Sequence, residues 1–105
     1  LTPLPFAGIV ATRPYPPTGL ATWAGVPVET VDLAALVLTQ RHLGSIAALF
    51  GAERRPGGDA YPQVVRWAGV DYLEDGHHKV CRAALWRGAL AMRMRVYRHS
   101  GEVQA

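Results

Sequence analysis

At 105 residues, half of them hydrophobic and 18% charged, the chain fits one compact domain able to bury a single core and is too apolar for global disorder. A formal charge of +3 and a pI near 9.5 admit phosphate-bearing partners without demanding them. The single cysteine, Cys81, excludes an internal disulfide and a cysteine-rich zinc module, and fits a reducing, cytoplasmic setting.

No run reaches the roughly 18 apolar residues that span a bilayer. The proline-punctuated start lacks the charged and continuous apolar regions of a signal peptide, so a soluble protein with no membrane partner is expected. Leucine at position 1 is read as the mark of a trimmed or processed chain, or of a piece of something longer.

Residues 1–25 form a proline-rich N-terminal arm. Pro3, Pro5, Pro14, Pro16 and Pro17 fix φ and remove backbone donors, which predicts an extended course. Phe6, Ile9, Val10 and Tyr15 are too apolar for a solvated tail, so the arm is expected to pack on its own domain or to hold a homodimer together. Residues 26–105 form the domain proper.

Val-Pro-Val-Glu-Thr-Val at 26–31 suits a strand, with Pro27 at an edge or at its start. Asp32 then caps a helical turn predicted over 33–38, and Thr39, Gln40 and Arg41 interrupt the apolar run with three hydrogen-bond donors. Leu43, Ile46, Ala47, Leu49 and Phe50 recur at helical spacing before Gly51, which predicts a first helix over about 42–50. Residues 53–62 read as a polar surface loop, or as one that folds over a ligand.

Strands at 63–67 and 70–73 are joined by Ala68-Gly69 as a tight hairpin. A second helix runs from His77 or His78 to Gly88, with Val80, Cys81, Ala84 and Leu85 on an inward face and Lys79, Arg82 and Trp86 on another. Beyond it, Leu90, Met92, Met94 and Val96 alternate with Ala91, Arg93, Arg95 and Tyr97, the pattern of a strand with one buried and one basic face. The fold class is therefore α/β (α+β): a small single domain with a mixed sheet and two main helices.

The chemistry-bearing stretch is Glu74-Asp75-Gly76-His77-His78-Lys79. A strand, a glycine turn and a helix start present unpaired backbone N–H groups to an anion. Gly76 lets the backbone approach, His77 and His78 can donate, Lys79 supplies a point charge, and Arg82 follows one turn later. The alternative is a plain helix start capped by Asp75, with surface histidines. A transition-metal site joining His77 and Cys81 to Asp75, His42 or His99 is weighed too, but no standard zinc spacing exists and no metal is expected. Lys79, Arg82, Arg87, Arg93, Arg95 and Arg98 could form a basic face that tracks DNA, or an ordinary solvated surface.

With the strand before it, Asp75-Gly76-His77-His78-Lys79, Arg82-Ala83-Ala84-Leu85 and the strand after it resemble the ParB N-terminal domain and sulfiredoxin superfamily. The resemblance covers about residues 26–98 and includes Thr39-Gln40-Arg41 and Pro62-Gln63-Val64-Val65. It implies a nucleotide-phosphate site for ATP or CTP, with Mg²⁺ as a companion ion. Gln40, Arg41, Gly76, His77, His78, Lys79 and Arg82 would bind the cofactor, and Asp75, His77 and His78 would be catalytic.

His77 stands where a sulfiredoxin carries its cysteine, so sulfinic acid reduction is not expected, and no helix-turn-helix pattern supports centromere-type DNA reading. The function implied is nucleotide binding, as a phosphotransferase or a nucleotide switch. The alternatives are a DNA-associated nuclease or non-catalytic DNA binder, and a protein-interaction module whose site has decayed.

Overall fold

Alternating apolar positions along three segments build the middle of a mixed sheet in the computed structural model, which describes residues 5–39 and 61–99. The strands are β1 (Gly8–Ile9), β2 (Val28–Asp32), β3 (Leu36–Leu38), β4 (Gln63–Trp67), β5 (Val70–Asp75) and β6 (Ala91–Arg98). They lie in the order β1-β3-β5-β4-β6-β2. β3 is parallel to β1 and β5, and β4 is parallel to β6, whereas the β4–β5 and β2–β6 pairs are antiparallel. This is the α/β architecture expected, in one domain.

The β4–β5 hairpin closes at Ala68 (φ 53°) and Gly69 (φ 77°). Two successive left-handed residues give the turn whose twist matches that of the flanking strands. Alanine is strained in that conformation and asparagine much less so. Ala68→Asn is therefore expected to raise the unfolding free energy by about 1 kcal/mol, read from the urea midpoint; an unchanged or lower midpoint would contradict the strain.

One sheet face carries the core. Leu36, Leu38, Val64, Leu73, Met94 and Val96 meet Leu33, Val80, Cys81 and Ala84 there, and Phe6 joins them. Val65, Tyr72 and Tyr97 are register neighbours whose alternation turns them to the opposite face. The N-terminal segment covers that second face. The Tyr15 ring lies 5.5 Å from Tyr72, and Trp23 meets Tyr97 edge-on at 6.3 Å. Between Phe6 and Tyr15 the segment zips onto β3, through Ala7 N–H to the Leu36 carbonyl and Val10 N–H to the Leu38 carbonyl, both 2.9 Å. The arm is thus a strap that wraps one sheet edge, with Phe6 and Tyr15 both buried in their own chain.

Several local expectations are corrected. Asp32 does cap, accepting the Ala34 N–H at 3.0 Å, but the turn it starts is a 3₁₀ turn of three residues, Leu33–Ala35. Leu36–Leu38 is β3, because an all-apolar triplet between two strands gains more from ladder bonds than from a lone helical turn. The helix predicted over 42–50, and residues 53–60 of the predicted loop, lie outside the described residues.

The other helix is α1 (His77–Cys81), continuing directly into a π-wound turn, Arg82–Trp86. Its N-cap is Gly76 at φ 97°, with no side-chain cap bond, so Asp75 is not the cap. Under α winding Leu85 would follow Cys81 into the core; the wider π turn points it outward and buries Ala83 instead. Leu90 is likewise exposed, because β6 starts one residue later.

Candidate functional site

The turn after β5 brings together most of the residues singled out above, in distinct environments. His77 is 3% exposed. Its Nε2 accepts the backbone N–H of Thr39 at 3.0 Å, and the Thr39 hydroxyl donates to the Leu73 carbonyl at 2.7 Å. Together these bonds tie the end of β3 to β5 and to the start of α1. Burial pushes the His77 imidazole down to about 4, with Asp75 pulling upward and Arg13 and His78 downward. At neutral pH the ring is uncharged and Nε2 acts as an acceptor.

His78 is half-buried, as are Gly76 and Arg82, while Asp75 and Lys79 are exposed. Asp75, His78 and Lys79 thus sit at the surface of the turn, whereas His77 points into the core. Gln40 and Arg41 lie outside the described residues. Cys81 is buried and unpaired, and burial raises its thiol pKa, leaving it poorly nucleophilic.

A polar arrangement missed by sequence reasoning lies under the strap. The Glu74 carboxylate accepts the Tyr15 hydroxyl and pairs with Arg13 Nε at 3.0 Å, while Arg13 Nη2 donates to the Glu74 carbonyl at 3.3 Å. Burial, then the hydrogen bond to Glu74, raises the Tyr15 phenol well above its ordinary range. These three residues with Pro17, Thr18 and Gly19 line an open pocket of about 370 Å³. Nothing local in a proline-rich arm announces a partner some 60 positions away. His99 helps to fasten the strap: its ring lies 3.0 Å from the Pro16 carbonyl and packs beside Tyr15. No group of three or more potential metal ligands occurs among the described residues.

The six basic residues do not form one stripe. Arg98 pairs with Glu29, which also lies 3.7 Å from Arg66; the bond from Arg98 lowers the Glu29 carboxyl pKa. Arg66 is also bidentate to Asp71, at 2.6 and 3.0 Å. Arg95 donates to the Val26 carbonyl at 2.7 Å and stacks over Tyr61. Arg93 and Arg95 alternate to the sheet face opposite Arg98. Lys79, Arg82 and Arg87 belong to the helical segment instead, beside the exposed Leu85, Trp86 and Leu90. No helix among the described residues is long and apolar enough to cross a membrane.

Residues 4–100 match a family model described as Antitoxin VapB-like. No curated protein and no solved structure matches the chain. The family match takes in strap, sheet and helix together, and it overturns the resemblance to the ParB N-terminal domain and sulfiredoxin superfamily. With that resemblance go the nucleotide-binding phosphotransferase or switch, the DNA-associated nuclease and the other functions attached to it. The resemblance rested on a short strand, glycine and helix-start motif that many folds can produce, and in this chain the first histidine of that motif faces the core.

Proposed function

Since the chain belongs to the VapB-like antitoxin family, we propose that it is the antitoxin of a toxin–antitoxin pair and neutralises its toxin in the cytoplasm by binding it directly. The observation that carries this reading is the extent of the family match. It spans the strap, both sheet faces and the helical segment, so the unit to be explained is the whole folded surface and not a single loop. Neutralisation by contact is served by apolar side chains left in water. Such side chains are present at Leu85, Trp86 and Leu90.

Expression of the cognate toxin is expected to arrest growth, and co-expression of the chain to restore it, with the two proteins co-eluting from a sizing column. A chain that neither restores growth nor co-elutes overturns the reading.

A further inference from the structure

The sheet ends on β1 at one side and β2 at the other. β1 is two residues long, whereas β2 runs for five, Val28–Asp32, in unbroken antiparallel register with β6. The ladder decides which β2 backbone groups face outward. Val96 N–H bonds the Pro27 carbonyl and Leu33 N–H the Leu90 carbonyl, both at 3.0 Å, and in this register each is a directly opposed pair. Bonded and open pairs alternate along an antiparallel ladder, so Glu29 and Val31 are the β2 residues that bond β6. Val28, Thr30 and Asp32 turn their N–H and C=O groups away from the sheet. Arg95, opposite Val28, agrees, since its N–H goes to the Pro62 carbonyl on its other side. Among the described residues no strand lies beyond β2, and Thr30 and Asp32 are exposed.

Such an edge is a template for another strand, and the charges along it select which one. Side chains of Val28, Thr30 and Asp32 share a sheet face with Arg93 and Arg95. Asp32 stands at one end beside Ala91, Arg95 at the other beside Val28, and Arg93 between them beside Thr30. Arg95 also donates to the Val26 carbonyl and stacks over Tyr61, which holds its charge at that end. Glu29 belongs to the opposite face, where Arg98 bonds it. The edge therefore has an acidic end and a basic end. A two-fold axis through its middle sets each end against its opposite.

The same axis fixes the register. Placed on Thr30, it opposes Val28 to Asp32 of the second copy, Glu29 to Val31, and Thr30 to itself. All the outward groups then find partners, about six backbone hydrogen bonds in total. No carboxylate faces a carboxylate, and threonine meets threonine, a favourable pair across strands. An axis at Asp32 would oppose that carboxylate to itself, and one at Val28 would run Asp32 past the end of the partner strand.

We infer that the chain forms a two-fold dimer by antiparallel pairing of β2 with β2 of a second copy, centred on Thr30, so that the two sheets become one. This goes beyond the antitoxin reading and does not depend on it.

Sedimentation equilibrium of the intact chain over a concentration series is expected to show a reversible monomer–dimer equilibrium. The amides of Val28, Thr30 and Asp32 should gain protection from hydrogen exchange as concentration rises, while those of Glu29 and Val31, already bonded to β6, stay protected throughout. Thr30→Pro removes an outward N–H and leaves the β2–β6 ladder intact. It is expected to raise the dimer dissociation constant about 30-fold, through the bonds lost across the axis. Asp32→Asn keeps the acceptor for the Ala34 N–H and is expected to raise it about threefold at low salt and less at high salt. Thermal melts report whether each variant keeps the fold, and the exchange pattern of the intact chain decides without them.

A chain that stays monomeric at every concentration overturns the inference. So does a dimer without the alternating protection, or one that folded Thr30→Pro leaves intact. Protection of Val28, Thr30 and Asp32 at every concentration would assign the edge to the chain's own residues, and protection that appears only with added toxin would assign it to a toxin strand. Either result also overturns the inference.

Discussion

Gly76→Ala is expected to lower the unfolding free energy by about 3 kcal/mol, far more than a typical glycine-to-alanine change. Two costs coincide at this position. The backbone is at φ +97°, where an L side chain is strained, and an added Cβ would sit 3.0 Å from the Cβ and 3.1 Å from the Cα of Pro62. Neither atom can swing aside as a flexible side-chain tip could. Pro62 is buried, and its carbonyl accepts the Arg95 N–H at 2.9 Å, which fixes it to β6.

Gly88 provides the control. It has φ +68° and nothing within 4 Å of an added Cβ, so Gly88→Ala bears the conformational cost alone, about 1 kcal/mol. Urea unfolding of the two variants measures the difference. Equal losses would mean that Pro62 yields and that the close approach of β4's start to the helix start is not rigid. The glycine expected to open the turn to a phosphate is also where an added Cβ would meet Pro62.

Gly76 also marks the boundary of what the sequence makes legible. The β4–β5 hairpin, the long alternation of β6 and the existence of a helix after Gly76 are local features. Turn chemistry and periodicity act over a few residues, and they were readable with boundaries off by one or two. β1 and β3 were not readable. Gly8–Ile9 has no strand signal of its own and exists only because β3 lies beside it, while the apolar run 33–38 offers no period with which to choose between strand and helix.

The site was less legible still, because its side chains are defined by distant partners. Glu74 is set by Arg13 and Tyr15, and His77 by Thr39. A histidine after an aspartate and a glycine reads as a donor at a helix mouth. Folding turns its ring inward and makes it an acceptor, and no count of spacings within the motif reveals that. The family, equally, is a property of the residues 4–100 pattern and not of the six residues that looked most chemical.

His77 supplies the second large effect, a loss of stability on mild acidification. Its imidazole stands at about 4 in the folded protein against an ordinary 6.5, chiefly through burial. A base whose folded value is depressed binds its proton more readily when unfolded, so the stability tied to it is complete above about pH 6.5 and is lost as pH falls towards 4. The difference amounts to roughly 3 kcal/mol once both states are protonated.

The structural cause is specific. With Nε2 accepting from Thr39, the neutral ring carries its proton on Nδ1, a buried atom with no hydrogen-bond partner among the described residues. A second proton would have to displace the Thr39 N–H and leave that donor unpaired as well. Glu29 acts in a separate window, since its lowered pKa withdraws stability only below the ordinary carboxylate value of 4.5.

Thermal or urea unfolding at steps from pH 7 to pH 4 should therefore show the decline beginning near 6.5 in the intact chain. His77→Gln, which keeps an acceptor but cannot titrate, should start lower by about 1 kcal/mol at pH 7 and fall more gently, so that the two curves converge on acidification. Parallel curves would place the acid sensitivity elsewhere and leave the His77–Thr39 bond as a contact without pH dependence.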